Sequence, residues 1–345
     1  MRGSILVFAT RRGGTAMARE RAAVVPEALG APAVGRWVGA RLSGGLWRFV
    51  RRRKLGGVGL TLVVLVLGVA IAAPAIQRYG DTQAFAVPNP EFNPAANPLE
   101  IARNPRLSTP VILERYQPPS ARHWFGTDQF GRDIYARIIV GARLAVIIGI
   151  GASLVAVGVG TFVGVVSGYF GGWFDLAVQR CVDALQAFPG LVLLLLIVQV
   201  VPEPPLALTV VALGVLGWAT VTRIIRSAVL AIKHSPFVEA ARAYGATDAR
   251  IMLWHVLPNI VAPIIVVFSI GIGAYILAEA SLSFLGLGPA DKTTWGKMVN
   301  AGRVALDLHP WEALFSGLAI TITVLGFNLA GDAIRDELDP RLRGR

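Results

Sequence analysis

The chain has 345 residues, of which 54% are hydrophobic and only 16% are charged, and its mean hydropathy is +0.60. This composition is too apolar for an ordinary soluble domain and indicates a membrane protein, because a helix crossing a bilayer core of about 30 Å needs roughly 20 apolar residues. The single cysteine, Cys181, excludes a disulfide framework within the chain and a cysteine-based metal cluster. The formal net charge of +12 has to be interpreted from where the charges lie.

The positive charge is concentrated at the N-terminus. Residues 1–54 contain twelve Lys and Arg against two acidic residues, and the run RRRK at 51–54 adjoins the first apolar segment. Charges in this position hold the flank of a membrane helix on the cytoplasmic side, so we predict no nucleic-acid partner. Residues 1–36 are rich in Ala, Gly and Arg without periodicity, and we predict that 1–54 is a basic, disordered cytoplasmic segment.

Apolar runs along the chain predict an all-α membrane protein, a polytopic bundle of six transmembrane helices. The predicted spans are 55–76, 144–168, 185–201, 206–225, 260–285 and 313–331. The second span is rich in glycine, which lets helix backbones approach closely, so we expect it to lie inside the bundle.

The connection 77–143 is polar and carries eight prolines, at positions 88, 90, 94, 98, 105, 110, 118 and 119. It is too rich in proline for long helices, and we predict an extracytoplasmic loop with some extended structure. Within it, the sequence GTDQFGRD at 126–133 combines glycines with charges of both signs. We interpret that stretch as amphipathic and lying at the outer, extracytoplasmic surface of the membrane.

Six spans with the N-terminus inside place both termini in the cytoplasm. In this arrangement the cytoplasmic segments hold 22 of the 33 Lys and Arg, as the positive-inside rule requires. The prediction is thus a five-helix core at 144–331 with a cytoplasmic loop at 223–259 and a cytoplasmic tail at 332–345, in the cell (inner) membrane.

The loop 223–259 contains a helix–glycine–helix pattern. Ser235 and Pro236 are typical of an N-cap and a first helical position, which predicts a helix over 236–244. Gly245 suits the left-handed conformation that ends a helix, and Thr247 can cap a second helix. We call residues 236–246 the glycine elbow. The spacing alone is equally compatible with a solvated amphipathic loop.

Several motifs make the chain recognisable. The sequence EAARAYGA at 239–246, followed by Leu257 and Pro258, resembles the cytoplasmic-loop motif of permease subunits of binding-protein-dependent ABC importers. Four other motifs are similar to the dipeptide/oligopeptide/nickel branch of that family. They are HWFGTDQFGRD at 123–133, GYFGGW at 168–173, EASLSFLGLG at 279–288 and NLAGD at 328–332.

The resemblance implies a type I ABC importer-like core that forms half of a translocation pathway for di- or oligopeptides. It implies four kinds of partner: a sister permease in a heterodimer, two ATP-binding cassette subunits, an extracytoplasmic substrate-binding protein and the lipid bilayer. It also implies that the glycine elbow is the coupling helix that docks into a groove on an ATPase. The residues expected in this coupling are Pro236, Val238, Glu239, Ala240, Ala241, Tyr244, Gly245, Leu257 and Pro258.

The chain has no Gly-x-x-x-x-Gly-Lys-[Ser/Thr] motif and therefore no P-loop of its own. We expect a transport subunit that is not an enzyme and needs no cofactor, with ATP used by its partners. The four histidines are far apart in sequence, and we expect no metal site.

Glu279 falls inside the fifth apolar segment, where a carboxylate is costly. It either faces the substrate path or makes a structural hydrogen bond near the outer surface. Two other functions would require different sequence features. A stand-alone secondary transporter or channel predicts inverted repeats and paired carboxylates, and an intramembrane enzyme requires a catalytic constellation.

Overall fold

The computed structural model describes residues 54–201 and 204–338. The predicted disordered segment, apart from Lys54, and the last seven residues of the predicted tail lie outside the described residues.

Helices dominate the described part of the chain. They are α1 Lys54–Ile76, α2 Pro98–Arg103, α3 Ile134–Phe170, α4 Gly172–Gln186, α5 Gly190–Gln199, α6 Leu206–Ile232, α7 Pro236–Ala243, α8 Asp248–Ile251, α9 Val261–Phe284, α10 Trp295–Gly302 and α11 Trp311–Leu338. Five helical runs are long and apolar enough to cross a membrane: α1, α3, α6, the continuous run Asp248–Phe284 and α11. The pair α4–α5, bent by 80°, makes a sixth crossing if it counts as one span. An all-α bundle with up to six spans confirms the predicted fold class.

The bend between α4 and α5 has a local cause. Pro189 is the N-cap of α5, with φ −58° and ψ 119°, and α4 has already ended at Gln186. Proline has no N–H to continue a helical ladder and disfavours the helical conformation of the residue before it. The third apolar segment, predicted as one helix over 185–201, is therefore a ten-residue helix entered at a steep angle.

Helix α3 begins ten residues before the predicted start of the second span, at position 144. Asp133 caps it, because its Oδ1 accepts a hydrogen bond of 2.8 Å from the backbone N–H of Ala136. At 37 residues the helix is about 55 Å long. The helix is thus longer than the hydrocarbon core is thick, and its additional turns lie outside the apolar segment that hydropathy detects.

The small residues of α3 let it pack closely along α6. A Cβ at Gly160 would lie 2.5 Å from the Cβ of Val221, and one at Gly164 would lie 2.9 Å from the carbonyl oxygen of Thr222. The hydroxyl of Thr222 donates a 3.3 Å hydrogen bond to the carbonyl of Gly160 across this contact. Half of the membrane-crossing window of α3 is buried, which confirms the prediction of an internal helix.

Three apolar clusters hold the bundle together. The first joins α3, α6 and α7 to the segment 251–260. The second joins α3, α9, α10 and α11, and the third joins α3, α5, α6 and α9. Helix α3 contributes to all three, and α1 packs against α11.

The connection 77–133 includes extended structure, as predicted. Strands β1 (Ala86–Pro88) and β2 (Val111–Leu113) pair antiparallel, with Val87 opposite Ile112. Helix α2 carries a capping box in which Asn97 and Glu100 bond each other's backbone N–H. We call the end of the bundle that holds residues 77–133 the loop end, and the opposite end of α3, where α7 and α8 lie, the elbow end.

Candidate functional site at the glycine elbow

Helix α7 begins where the sequence predicts. Ser235 is extended, with φ −69° and ψ 149°, and Pro236 occupies the first turn. The carbonyl of Ser235 accepts hydrogen bonds from the N–H groups of Val238 and Glu239, at 2.9 and 3.1 Å. Its side chain makes no capping hydrogen bond, so the start of α7 is set by backbone conformation and proline.

Gly245 ends α7 in the left-handed conformation, with φ +79°, which confirms the conformational prediction. The N–H of Gly245 donates to the carbonyl of Arg242 and that of Ala246 to the carbonyl of Ala241, both at 3.0 Å. This pair of bonds defines a Schellman motif. A Cβ at Gly245 would have nothing within 4 Å, so the requirement for glycine comes from φ and not from space.

The second arm of the elbow is helical but irregular. Thr247 caps α8, its hydroxyl accepting from the N–H of Arg250 at 3.4 Å. The chain then passes through a π-helical stretch, Met252–Val256, and a 3₁₀ turn, Leu257–Ile260, before α9 begins. Pro258 explains the change, because it lacks the N–H that a regular helical bond needs at that position.

The side chains of α7 divide into two faces. Val238 is fully buried in the cluster at the elbow end. On the other face, Phe237 is 40% and Tyr244 is 92% exposed. The remaining residues predicted for coupling are either exposed or half-buried. Pro236, Glu239, Ala240 and Gly245 are exposed, whereas Ala241, Leu257 and Pro258 are half-buried.

Phe237 was absent from the predicted set, although a signal for it existed. It lies three residues before Ala240 and seven before Tyr244, which is the spacing of one helical face. The prediction also placed Val238 and Tyr244 together among the coupling residues, and the structure separates them into an inward and an outward residue.

The elbow is tied to the end of α3 through one hydroxyl. Tyr169 donates a 2.6 Å hydrogen bond to Asp248 Oδ1, after the elbow, and accepts one of 3.2 Å from Arg242 Nη2, before it. The hydrogen bond to Tyr169 raises the pKa of the exposed Arg242. Both arms flanking Gly245 therefore bond the same residue of a membrane-crossing helix.

Helix α4 is fixed to α6 at the same end by ion pairs. Arg226 makes a bidentate pair with Asp175, at 2.6 and 2.5 Å, and Arg223 contacts Asp183. Arg180 also pairs with Asp183, at 3.4 Å. Planar guanidinium–carboxylate pairs of this kind fix orientation as well as distance.

Glu279 is buried and hydrogen-bonded. The residue is 3% exposed, and its Oε1 accepts from the hydroxyl of Ser283 at 2.5 Å. The next residues, Ala280 and Ser281, line a cavity of 290 Å³. This geometry favours the structural alternative, since contact with cargo would require the carboxylate to become exposed.

The loop end holds a buried charge cluster. Asp128 and Asp133 are 1% and 2% exposed; Arg137 contacts Asp128 and, at 3.4 Å, Glu312, while Asp133 lies 2.7 Å from Nδ1 of His123. The charges of this stretch therefore do not form the exposed polar face that an amphipathic segment requires. The position of this stretch relative to the membrane stays a prediction. The charges of the cluster are taken out of water because they compensate one another and join α3 to α11.

Among the described residues, no group of three or more His, Cys, Asp or Glu side chains is placed to hold a metal ion.

Comparison with known proteins agrees with this architecture. The chain belongs to the family described as binding-protein-dependent transport system inner membrane component, whose sequence profile matches residues 160–344. It is 38% identical over 295 residues to the dipeptide transport system permease protein DppC of Alkalihalophilus pseudofirmus, covering 85% of this chain and 88% of that one. It is 37% identical over 294 residues to the oligopeptide transport system permease protein OppC of Bacillus subtilis, with the same coverage. It is 36% identical over 299 residues to the glutathione transport system permease protein GsiD of Escherichia coli, covering 86% and 90%.

The matched region contains the glycine elbow and all of α4 to α11. The protein is thus a multi-pass permease subunit of an ABC importer, as the resemblance predicts, and not a stand-alone transporter. Membership implies an ATPase and a substrate-binding protein as partners.

Proposed function

We propose that this chain forms half of the translocation pathway of a peptide importer, and that the glycine elbow couples this pathway to ATP hydrolysis by separate ATPase subunits. The observation that carries the proposal is the outward face of α7. It presents two aromatic side chains, Phe237 and Tyr244, at the end of a helix whose opposite face is anchored by Val238.

The shape of this face suits a protein partner. Phe237 and Tyr244 are separated by about 10 Å along the helix axis, on the 1.5 Å rise per residue. Ala240 lies between them, and its small side chain leaves room for a partner's backbone to approach the centre of the face. Glu239 is also exposed. Exposed aromatic side chains around a small central residue are typical of an interaction surface, whereas a freely solvated loop does not require them.

The proposed assembly follows from the family. The chain pairs with a sister permease, two ATPase subunits bind at the elbow end, and a substrate-binding protein docks at the loop end. The elbow end and both termini then face the cytoplasm. The chain itself needs no cofactor, because ATP is bound by the partner subunits.

The proposed cargo is a di- or oligopeptide. The relatives named above are described as permeases for dipeptides, oligopeptides and glutathione, which all contain peptide bonds. The binding protein would supply much of the selection among them.

The experiment is reconstitution. The chain is purified with its genomic neighbours, and peptide uptake into proteoliposomes is measured with ATP and the binding protein present. The proposal expects co-purification of an ATPase, and it expects uptake to stop when the ATPase active site is inactivated. Uptake by this chain alone, or an ATPase that never co-purifies with it, would contradict the proposal.

Orientation is tested separately by thiol labelling in intact cells. Cys181→Ser removes the only cysteine, and Ser120→Cys or Ala240→Cys then adds one exposed thiol at the loop end or the elbow end. A membrane-impermeant maleimide is expected to label the Ser120→Cys protein only. Labelling of the Ala240→Cys protein alone would reverse the orientation.

A further inference from the structure

We infer that Tyr169 is the positioning residue through which the glycine elbow moves the membrane helices. The inference rests on the proposed function, since it concerns how a push on α7 reaches the bundle. It assigns the transfer to one hydroxyl at the end of α3.

The position of this hydroxyl is specific. Tyr169 is the second-last residue of α3, and its side chain is 7% exposed. It bonds Arg242 in the last turn of α7 and Asp248 in the first turn of α8. A rotation of α7 about the elbow therefore pulls on α3 through Arg242. The bond between Tyr169 and Asp248, on the second arm, resists that movement.

The apolar contact of α7 alone would transmit such a movement poorly. Val238 packs into the cluster at the elbow end, but apolar contact is non-directional, so this one side chain does not fix the angle between α7 and α3. Hydrogen bonds with charged partners depend steeply on angle and distance, so they hold the two arms in a defined relation to α3.

Helix α3 is suited to receive the displacement. It is a single helix of 37 residues without proline, and it contributes to all three apolar clusters of the bundle. A shift at Tyr169 is therefore passed to α6 through the close contacts at Gly160 and Gly164. Packed helices of this kind move as rigid elements between discrete arrangements.

The test is the number of peptides transported per ATP hydrolysed, measured in proteoliposomes that contain the whole complex. Tyr169→Phe removes the hydroxyl and leaves the ring in the cluster. We expect the complex to assemble, ATP hydrolysis to continue, and the transport ratio to fall about fivefold or more, the lower end of usual coupling between two sites. Tyr135→Phe is the matched control, because Tyr135 lies on the same helix at the loop end, where its ring packs against Trp124 and Phe125.

Further variants separate positioning from a merely structural role. Arg242→Met and Asp248→Ala each remove one partner at an exposed position and leave Tyr169 intact. Both are expected to lower the ratio, and combining either with Tyr169→Phe is expected to add little, because the three side chains act as a unit. If the Tyr169→Phe complex fails to assemble, Arg242→Met decides the question alone.

The outcomes distinguish this inference from the proposed function. An unchanged transport ratio in Tyr169→Phe or Arg242→Met, with the wild-type complex active, overturns the role of Tyr169 and leaves the importer function intact. A wild-type complex without ATP-dependent uptake overturns the proposed function itself.

Discussion

Arg137 and Tyr169 lie 32 residues apart on the single helix α3, and each bonds a different part of the chain. About 48 Å of helix axis separates them, on a rise of 1.5 Å per residue. Arg137 contacts Asp128 and Glu312 at the loop end, whereas Tyr169 bonds the elbow at the other. One rigid helix thus links the proposed binding-protein side of the molecule to the proposed ATPase side.

The buried charge cluster at the loop end is expected to be essential for stability. Arg137→Gln leaves Asp128 and Glu312 buried, and breaking a buried pair from one side costs about 3–5 kcal/mol. We expect a clear fall in the thermal unfolding midpoint of the detergent-purified protein.

The matched control is an ion pair of the same loop that stays in water. Arg106 pairs with Glu91 at 3.5 Å, and both side chains are largely exposed, at 69% and 44%. Arg106→Gln is expected to change the midpoint little, because exposed pairs contribute little. Equal effects of the two substitutions would show that burial of Arg137 has no energetic consequence.

The elbow was predictable because its signals are local. Ser235, Pro236, Gly245 and Thr247 each fix the backbone within a few residues of themselves, and the structure has the helix start, the left-handed turn and the second cap at these positions. The role of the elbow in coupling is a separate matter and stays a prediction.

The contacts that cross the fold had no such signal. Tyr169 and Asp248 are 79 positions apart, and Arg137 and Glu312 are 175 apart. The sequence shows that a loop contains charged residues, but only the packing of α3 against α11 determines that those residues are buried and paired. The break before Pro189 was missed for another reason, since hydropathy measures whether a segment is apolar and not whether its helix is continuous.

The close packing of α3 on α6 predicts a difference between two glycines on the same helix. A methyl group at Gly160 would meet the side chain of Val221, whereas one at Gly158 would meet nothing within 4 Å. Gly160→Ala is therefore expected to destabilise the protein by about 1–3 kcal/mol through overpacking. Gly158→Ala is expected to be neutral or slightly stabilising, since alanine is the better helix former. Chemical or thermal unfolding of both variants in the same detergent checks this, and a reversed order would refute the packing described.

Gly245 offers a test of conformation without a change in contacts. Gly245→Val places a β-branched residue at φ +79°, where the left-handed conformation costs an L-residue roughly 1–2 kcal/mol or more. Gly245→Asn enters the same open space, but asparagine tolerates this conformation. We expect the valine variant to insert normally and lose ATP-driven uptake, and the asparagine variant to keep most of it. Similar uptake by both variants would mean that the turn is not required for coupling.

Glu239 is expected to matter through its charge at the proposed docking face. Glu239→Lys reverses the charge and should abolish co-purification of the ATPase while leaving membrane insertion intact. Glu239→Gln keeps the size and the hydrogen-bonding oxygen but removes the charge, and should give a recovery between those of the wild type and the lysine variant. The measurement is the amount of ATPase recovered per permease on affinity purification. Full recovery with the lysine variant would remove Glu239 from the interface.

The docking of α7 on an ATPase subunit is tested most directly by a cross-link from α7. In the Cys181→Ser background, Ala240→Cys is labelled with a thiol-reactive photocross-linker in the assembled importer, and the adduct is identified by mass spectrometry. If α7 couples the permease to ATP hydrolysis, the adduct joins Ala240→Cys to an ATPase subunit, and its yield differs between ATP-bound and nucleotide-free complexes, while the Ser120→Cys control gives none. An ATPase adduct from Ser120→Cys, or adducts from Ala240→Cys that contain only lipid, would contradict this role of α7.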